Sequence, residues 1–225
     1  MGKYFKYAIG EIILVVIGIL IALQINNWNE HRNQQNILNN IYATIKVDLE
    51  EDIRSINKVI TTNEDLEKIY WGIINKKIEK EDFKNCEDCW QINMSYSDFK
   101  LHRNGIDLLL DYNKNHDTSK DSLAIKLKNL YNDLGHNIEV SIAELKEEIG
   151  NYNTSIINNA PWFTDVVNGK YSEEFVEYAF TNVRYRNTAT IVHFFTYEKY
   201  LPSLKSYKEK SLELIDAIND YLETK

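Results

Sequence analysis

The sequence predicts an all-α protein, with an N-terminal transmembrane helix followed by an antiparallel bundle of five to seven helices. Three observations support this fold class. The 225 residues include only 8 Gly and 2 Pro, too few for the turns of a multi-stranded sandwich or barrel. An apolar run near the N-terminus is about as long as a membrane is thick. Beyond it, apolar residues recur at three- and four-residue steps, which is the period of a helix.

The composition excludes several classes of protein. With 44% hydrophobic and 27% charged residues, the chain resembles a folded protein rather than a disordered one. A formal net charge of -8 argues against a nucleic-acid-binding surface, which needs a concentrated positive field. The 2 cysteines are too few for a disulfide-rich scaffold.

Residues 7–28 are predicted to form a transmembrane signal-anchor helix. No polar residue interrupts the chain from Ile12 to Leu23, and the segment between Tyr7 and Trp28 would span roughly 31 Å, the thickness of the bilayer hydrocarbon. Tyr4, Tyr7 and Trp28 are aromatic types that settle at headgroup level. A cleaved signal peptide would end in small residues, which this run lacks, and a buried core helix is seldom so uniformly apolar.

The flanking charges predict the orientation of this helix. Lys3 and Lys6 precede it, whereas Arg32 is the only basic residue after it before Lys46. The positive-inside bias therefore places residues 1–6 in the cytoplasm, as a short tip, and residues 29–225 outside it.

One stripe of the membrane helix is a predicted contact surface. Helical spacing aligns Glu11, Val15, Gly18, Ala22 and Ile25, and the small residues Gly18 and Ala22 suit close helix approach. We expect a homo-oligomer or a membrane partner, with Glu11 at the contact. The alternatives are that Glu11 extends its carboxylate to the cytoplasmic surface, or that it carries protons or ions in a ring of subunits.

A long helix is predicted to continue from the membrane into the soluble domain. No Gly or Pro occurs from Ile19 to Trp71, although the Asn- and Gln-rich segment 26–40 could loosen the helix. From Leu38 to Ile60 an apolar face repeats over more than six turns, with Asp52 and its charged neighbours assigned mostly to other faces. A polar break at residues 61–63 precedes a second apolar run.

Further helices are expected downstream. Residues 81–94 lack a period and are predicted to be a loop. Helical patterning resumes over residues 96–110, and Thr118 or Ser119 is a candidate N-cap for a long helix that ends at Gly150. After a packed connection, Ser172 is expected to begin a helix, and Pro202 to kink or divide the last patterned region.

The most motif-like feature is Cys86-x-x-Cys89. In an oxidising compartment, these residues could close a small disulfide ring. A thioredoxin-type redox pair would need a preceding strand, and a zinc site would need a second pair of ligands, whereas the nearest histidine is His102. Free thiols would follow if the domain were cytoplasmic.

Arg184, Arg186 and His193 could line an anion pocket, although such arginines more often pair with surface carboxylates. The 5 histidines are scattered without metal-binding spacing, and no phosphate-binding or nucleophile motif is present. We therefore expect no catalytic residues, no cofactor and no metal site, and predict a protein that is not an enzyme.

Residues 3–30 read KYFKYAIGEIILVVIGILIALQINNWNE, and the soluble part contains Lys100–Leu110, Asp121–Leu123 and Leu130–Tyr131. The first stretch closely, and the others more loosely, resemble an uncharacterised Bacteroidetes-type family of bacterial single-pass membrane proteins with a domain of unknown function. The resemblance implies an anchor in the bacterial inner membrane and a helical periplasmic domain, but no assigned activity.

Together these observations predict a non-enzymatic envelope scaffold. Its expected partners are the lipid bilayer and either further copies of itself or a membrane protein, with no nucleic acid. The alternatives are a small-molecule sensor that needs a partner for output and an accessory subunit of an ion-conducting complex.

Overall fold

The computed structural model describes residues 2–224, and of residues 2–10, 12 and 87 it describes the backbone alone. Regular structure within this range is entirely helical, which confirms the all-α prediction. The chain runs through α1 (Gly2–Glu64), α2 (Leu66–Ile74), α3 (Lys80–Lys84), α4 (Glu87–Gln91), α5 (Asn104–Tyr112), α6 (Ser122–Asn129), α7 (His136–Asn159), α8 (Phe163–Val167), α9 (Glu173–Thr181), α10 (Val183–His193) and α11 (Leu201–Glu223), with π-helical segments at Leu130–Gly135 and Phe194–Tyr200.

Helix α1 connects the apolar N-terminal segment with the core. It is the only helix in the described part of the chain that is long and apolar enough to cross a membrane. It remains helical through residues 26–40, where Gln35 donates a hydrogen bond to Asn39 one turn on, at 3.0 Å. The side chains of Glu11 and residues 13–33 are exposed, and full burial begins at Leu38.

The core forms where α1 packs against α5 and α11. Hydrogen bonds along α1 and α11 pair Gln35 with Tyr221, Asp52 with Tyr207, Asn57 with Lys208, and Asn63 with Tyr197 of the π-helical segment that precedes α11. Because the partners run from Tyr221 back to Tyr197 as α1 advances from Gln35 to Asn63, these two long helices are antiparallel. The second half of α1 is therefore a central element of the domain.

The segment 81–94 is not the predicted loop. It contains α3 and α4, each of 5 residues, and their side chains Phe83 and Trp90 are buried in the core. A helix of little more than one turn is too short to show an apolar period, so the pattern could not reveal it. Such short helices, and two π-helical segments that divide longer runs, bring the described helices above the predicted five to seven.

Two predicted helix ends are wrong. Asp121, rather than Thr118 or Ser119, caps α6, because its carboxylate accepts hydrogen bonds from the N–H groups of Leu123 and Ala124 at 2.9 and 3.1 Å. Gly150 does not end a helix. It lies inside α7, which continues to Asn159 because the apolar face extends to the buried Tyr152 and Ile156.

The two predictions for the C-terminal region have different outcomes. Ser172 caps α9 as expected, accepting a hydrogen bond from the N–H of Phe175. Pro202 neither ends nor separates the helical run, since it lies in the first turn of α11. The π-helical segment Phe194–Tyr200 directly before it provides a wider turn where the proline lacks an N–H donor.

Candidate functional site

Two buried carboxylates on α1 form the most specific polar site of the domain. Asp48 and Asp52 are 4% and 0% exposed, although an ionised side chain is costly to bury unless it is paired. They lie one turn apart, on the same face as the buried Ile45 and Ile56. The assignment of Asp52 to an outer face was therefore wrong.

Both carboxylates bind the chain at the start of α5. Asp48 accepts hydrogen bonds from the Gly105 N–H at 2.7 Å and from the Asn104 side chain at 3.4 Å. Asp52 accepts one from the His102 N–H at 3.0 Å, and its Oδ1 lies 2.7 Å from His102 Nδ1. Because the first N–H groups of a helix have no partner within it, α1 supplies the acceptors that α5 lacks.

Gly105 allows α5 to approach this closely. A Cβ at this position would lie 2.5 Å from the Ile45 nitrogen and 2.6 Å from the Ile45 Cα. These atoms belong to the backbone of α1, so a side chain could not be accommodated without moving one helix. The absence of a side chain thus brings the Gly105 N–H within reach of Asp48.

Helix α11 and the π-helical segment Leu130–Gly135 complete the cluster. The Tyr207 hydroxyl donates to Asp52 Oδ2 at 2.9 Å. The Tyr131 ring meets Tyr207 edge-on at 6.1 Å, and the Arg103 guanidinium lies 5.7 Å from the centre of the Tyr131 ring. Burial raises the pKa of Asp52, while the hydrogen bonds from His102 and Tyr207 act to lower it.

All four carboxylate oxygens of Asp48 and Asp52 thus accept hydrogen bonds from other elements. The cluster holds α1, α5 and α11 together, which indicates a structural role. We call it the Asp48–Asp52 joint. Sequence reasoning missed it. The available signal was an acidic residue at each of two positions that continue the apolar face of Ile45, Leu49 and Ile56.

The predicted membrane stripe lies on α1, outside the domain. Glu11, Val15, Gly18, Ala22 and Ile25 are all exposed, and a Cβ added at Gly18 would meet nothing within 4 Å. This side of the helix is therefore free for contact with other molecules. The predicted roles of Lys3, Tyr4, Lys6 and Tyr7 concern side chains outside the described set.

Cys86 and Cys89 form a disulfide at the start of α4, with their Cα atoms 5.3 Å apart. Cys89 is fully buried and Cys86 partly so. The side chain of Tyr185, on α10, donates a hydrogen bond to the Cys89 carbonyl at 3.0 Å. The pair thus lies where α4 packs against α10. In the described part of the chain, no group of three or more His, Cys, Asp or Glu side chains is placed to hold a metal ion.

The structure does not bring Arg184, Arg186 and His193, the predicted anion pocket, together around one of the described cavities. A two-residue step turns about 200° around a helix, so the two arginines line different cavities. His193 is buried, with its Nε2 3.8 Å from Glu67 Oε1 and its ring 4.6 Å from that of Trp71. Burial lowers the pKa of His193, and the negative charge of Glu67 opposes that effect.

Comparisons with known proteins do not add a function to this geometry. The chain matches no family model, no curated protein and no solved structure.

Proposed function

We propose that this protein is a non-enzymatic scaffold of the bacterial inner membrane, which self-associates through its transmembrane helix and holds a helical domain in the periplasm. The observation that carries this proposal is the continuity of α1. The helix that is apolar enough to cross a membrane also supplies the central face of the core. A movement or association of the anchor therefore acts directly on the domain.

The membrane stripe supports self-association. A carboxyl group such as that of Glu11 costs a few kcal/mol in hydrocarbon unless it lies near the interface or faces protein. Gly18 and Ala22 lie on the same stripe, one turn apart, and would let a second helix approach closely. A contact along this stripe would therefore shelter the one acidic side chain of the membrane segment.

The segment between membrane and core supports a scaffold role. From Trp28 to Leu38 the helix continues for about 15 Å, and most side chains along it are exposed. Helix α1 thus acts as a short stalk that holds the domain away from the lipid surface. The orientation rests on Lys3 and Lys6 before the membrane segment, and the inner-membrane location on the resemblance of residues 3–30 to the Bacteroidetes-type family.

Cysteine cross-linking in native membranes tests the contact. We expect Gly18→Cys and Ala22→Cys to form disulfide-linked dimers on mild oxidation. Leu20→Cys is the matched control, because it lies about 200° around the helix from Gly18 at a similar depth. Equal cross-linking at all three positions, or none at Gly18 and Ala22, would contradict the contact.

Labelling in intact spheroplasts tests the orientation. A cysteine at the exposed residue Asn115 should react with a membrane-impermeant maleimide before lysis if the domain is periplasmic. The control is a cysteine at Lys3, in the predicted cytoplasmic tip, which should react only after lysis. The reverse pattern would place the domain in the cytoplasm.

A small-molecule sensor is the second candidate function, and one cavity in the domain favours it. This cavity lies away from the membrane segment and is lined by both apolar and cationic residues.

A further inference from the structure

A cavity of about 360 Å³ opens between the end of α2, α3 and the turn that joins α9 to α10. This volume lies within the usual range for small-molecule sites. Its walls include the aromatic side chains of Phe83, Phe180 and Tyr185. Phe83 and Tyr185 are each 1% exposed, so the floor of the cavity is held firmly by the core.

Three of the polar residues that line the cavity are already engaged. Thr181 donates its hydroxyl hydrogen bond to the Glu177 carbonyl at 2.7 Å. The Asn182 side chain accepts from the Arg184 N–H at 2.8 Å, and the Tyr185 hydroxyl donates to the Cys89 carbonyl at 3.0 Å. These bonds satisfy groups of the protein itself.

The two cations of the lining, Lys76 and Arg186, differ from these groups. Within the described part of the chain, neither side chain forms an ion pair or a hydrogen bond. The chain carries a formal net charge of -8, so two cations without an anionic partner beside one cavity are opposite in sign to the charge of the whole chain. An anion in the cavity would supply the charge that the protein does not.

The backbone at Lys76 is also unusual. Its φ of 55° is the one positive value among the described non-glycine residues, and a lysine adopts this region at an energetic cost. Hydrogen bonds from the Lys76 and Lys77 N–H groups to the Ile73 and Gly72 carbonyls, at 3.2 and 2.8 Å, hold this turn. This turn ends α2, and Lys76 within it lines the cavity.

We propose that this cavity binds a small organic acid with an aromatic body. The aromatic part packs against the partly exposed ring of Phe180, above the base formed by Phe83 and Tyr185, and the carboxylate binds Arg186 and Lys76. A carboxylate matches the planar donor fork of arginine, and aromatic rings favour edge-on and offset packing with one another. This site does not depend on self-association in the membrane.

Calorimetric titration of the full chain in nanodiscs tests the site, with 2-naphthoate as the probe and empty nanodiscs as the blank. We expect saturable binding to the unmodified protein. Arg186→Gln removes a charged contact, which we expect to weaken binding by about tenfold or more. Arg184→Gln is the matched control, since this arginine is on the same helix but lines other cavities, and it should change the affinity less than about twofold.

Two further measurements distinguish recognition of the carboxylate from nonspecific hydrophobic binding. The neutral analogue 2-naphthamide should bind at least about tenfold more weakly than 2-naphthoate. Ala179→Leu should abolish binding by filling the cavity, with unchanged circular dichroism showing that the fold is intact. The proposal is overturned if the unmodified protein shows no saturable heat at millimolar probe, if Arg184→Gln and Arg186→Gln are equally impaired, or if acid and amide bind alike.

Discussion

Asp48 provides two hydrogen-bond acceptors to the start of α5. Removing its carboxylate should therefore show how much the Asp48–Asp52 joint contributes to the stability of the domain. In Asp48→Ala, the Gly105 N–H loses its partner in a buried site. We expect the free energy of unfolding to fall by about 1–3 kcal/mol. Denaturant titration in detergent measures it. The control is Glu50→Ala, whose partly exposed pair with Lys46 at 3.9 Å should contribute less than about 0.5 kcal/mol. Equal losses would refute a special role for Asp48.

Two glycines in helices should respond oppositely to the same substitution. Gly105→Ala drives a Cβ against the backbone of α1, and we expect a loss of about 1–3 kcal/mol in unfolding free energy. At Gly150 a Cβ would meet nothing within 4 Å. Gly150→Ala should therefore raise stability by about 0.5–1 kcal/mol, because alanine is the better helix former. A neutral or stabilising Gly105→Ala would contradict the close approach of α5 to α1.

His193 should make the domain less stable in acid. Its pKa in the folded protein is lowered by burial, despite the opposing effects of Glu67 and Glu198, so the unfolded chain takes up a proton first as pH falls. The stabilisation is complete well above pH ~6.5 and is lost below it. His193→Phe should lose less stability than the unmodified protein between pH 7.5 and 5.5. The exposed control His136→Gln should keep the full loss, and an unchanged loss in His193→Phe would rule this origin out.

At the scale of elements, α1 should behave as one rod across the membrane surface. Spin labels at the exposed positions Trp28 and Lys58 lie thirty residues apart, which corresponds to about 45 Å in a straight α-helix. Pulsed electron resonance should give a narrow distribution near that distance. Asn33→Pro should broaden or shift it, because proline kinks a helix interior. A broad distribution before any substitution would argue against a rigid stalk.

Helices whose apolar period repeats over many turns could be predicted from the sequence. Helices that depend on a single tertiary contact could not. The apolar face of α1 and the cap at Ser172 could both be predicted. Helices α3 and α4 were not, since they are too short for a period and are held by the burial of Phe83 and Trp90. The extension of α7 past Gly150 depends on tertiary packing of Tyr152 and Ile156, which outweighs the low helix propensity of glycine.

The candidate sites differ in the same respect, because one follows from local spacing and the others need contacts between residues far apart in the sequence. The membrane stripe is a property of one helix, so its alignment follows from sequence spacing alone. The Asp48–Asp52 joint needs α1, α5 and α11 to meet, and residues as far apart as Asp52 and Tyr207 share no local pattern. The cation-lined cavity likewise combines Lys76, from the turn after α2, with Arg186, from α10, and no spacing rule connects these two positions.

At the scale of the whole molecule, the antiparallel packing of α1 and α11 brings the end of α11 back toward the membrane. The hydrogen bond from Gln35 to Tyr221, at 2.6 Å, places Tyr221 beside the stalk. A fluorophore at Thr224→Cys should therefore transfer energy efficiently to acceptor-labelled lipid. A fluorophore at Lys77→Cys, beyond the far end of α1, should transfer much less. Equal transfer from both sites would mean that the domain lies flat on the bilayer.

The hydrogen bonds between α1 and the helical run through α11 also determine how this protein would resist force. If a distal partner were pulled away from the bilayer, the load would run along the axis of α1. The bonds at Asp52, Asn57 and Asn63 would then be sheared together rather than opened one after another. Loading many contacts in parallel resists rupture better than peeling them in series. The anchor helix would thus carry tension between the domain and the membrane as well as attach one to the other.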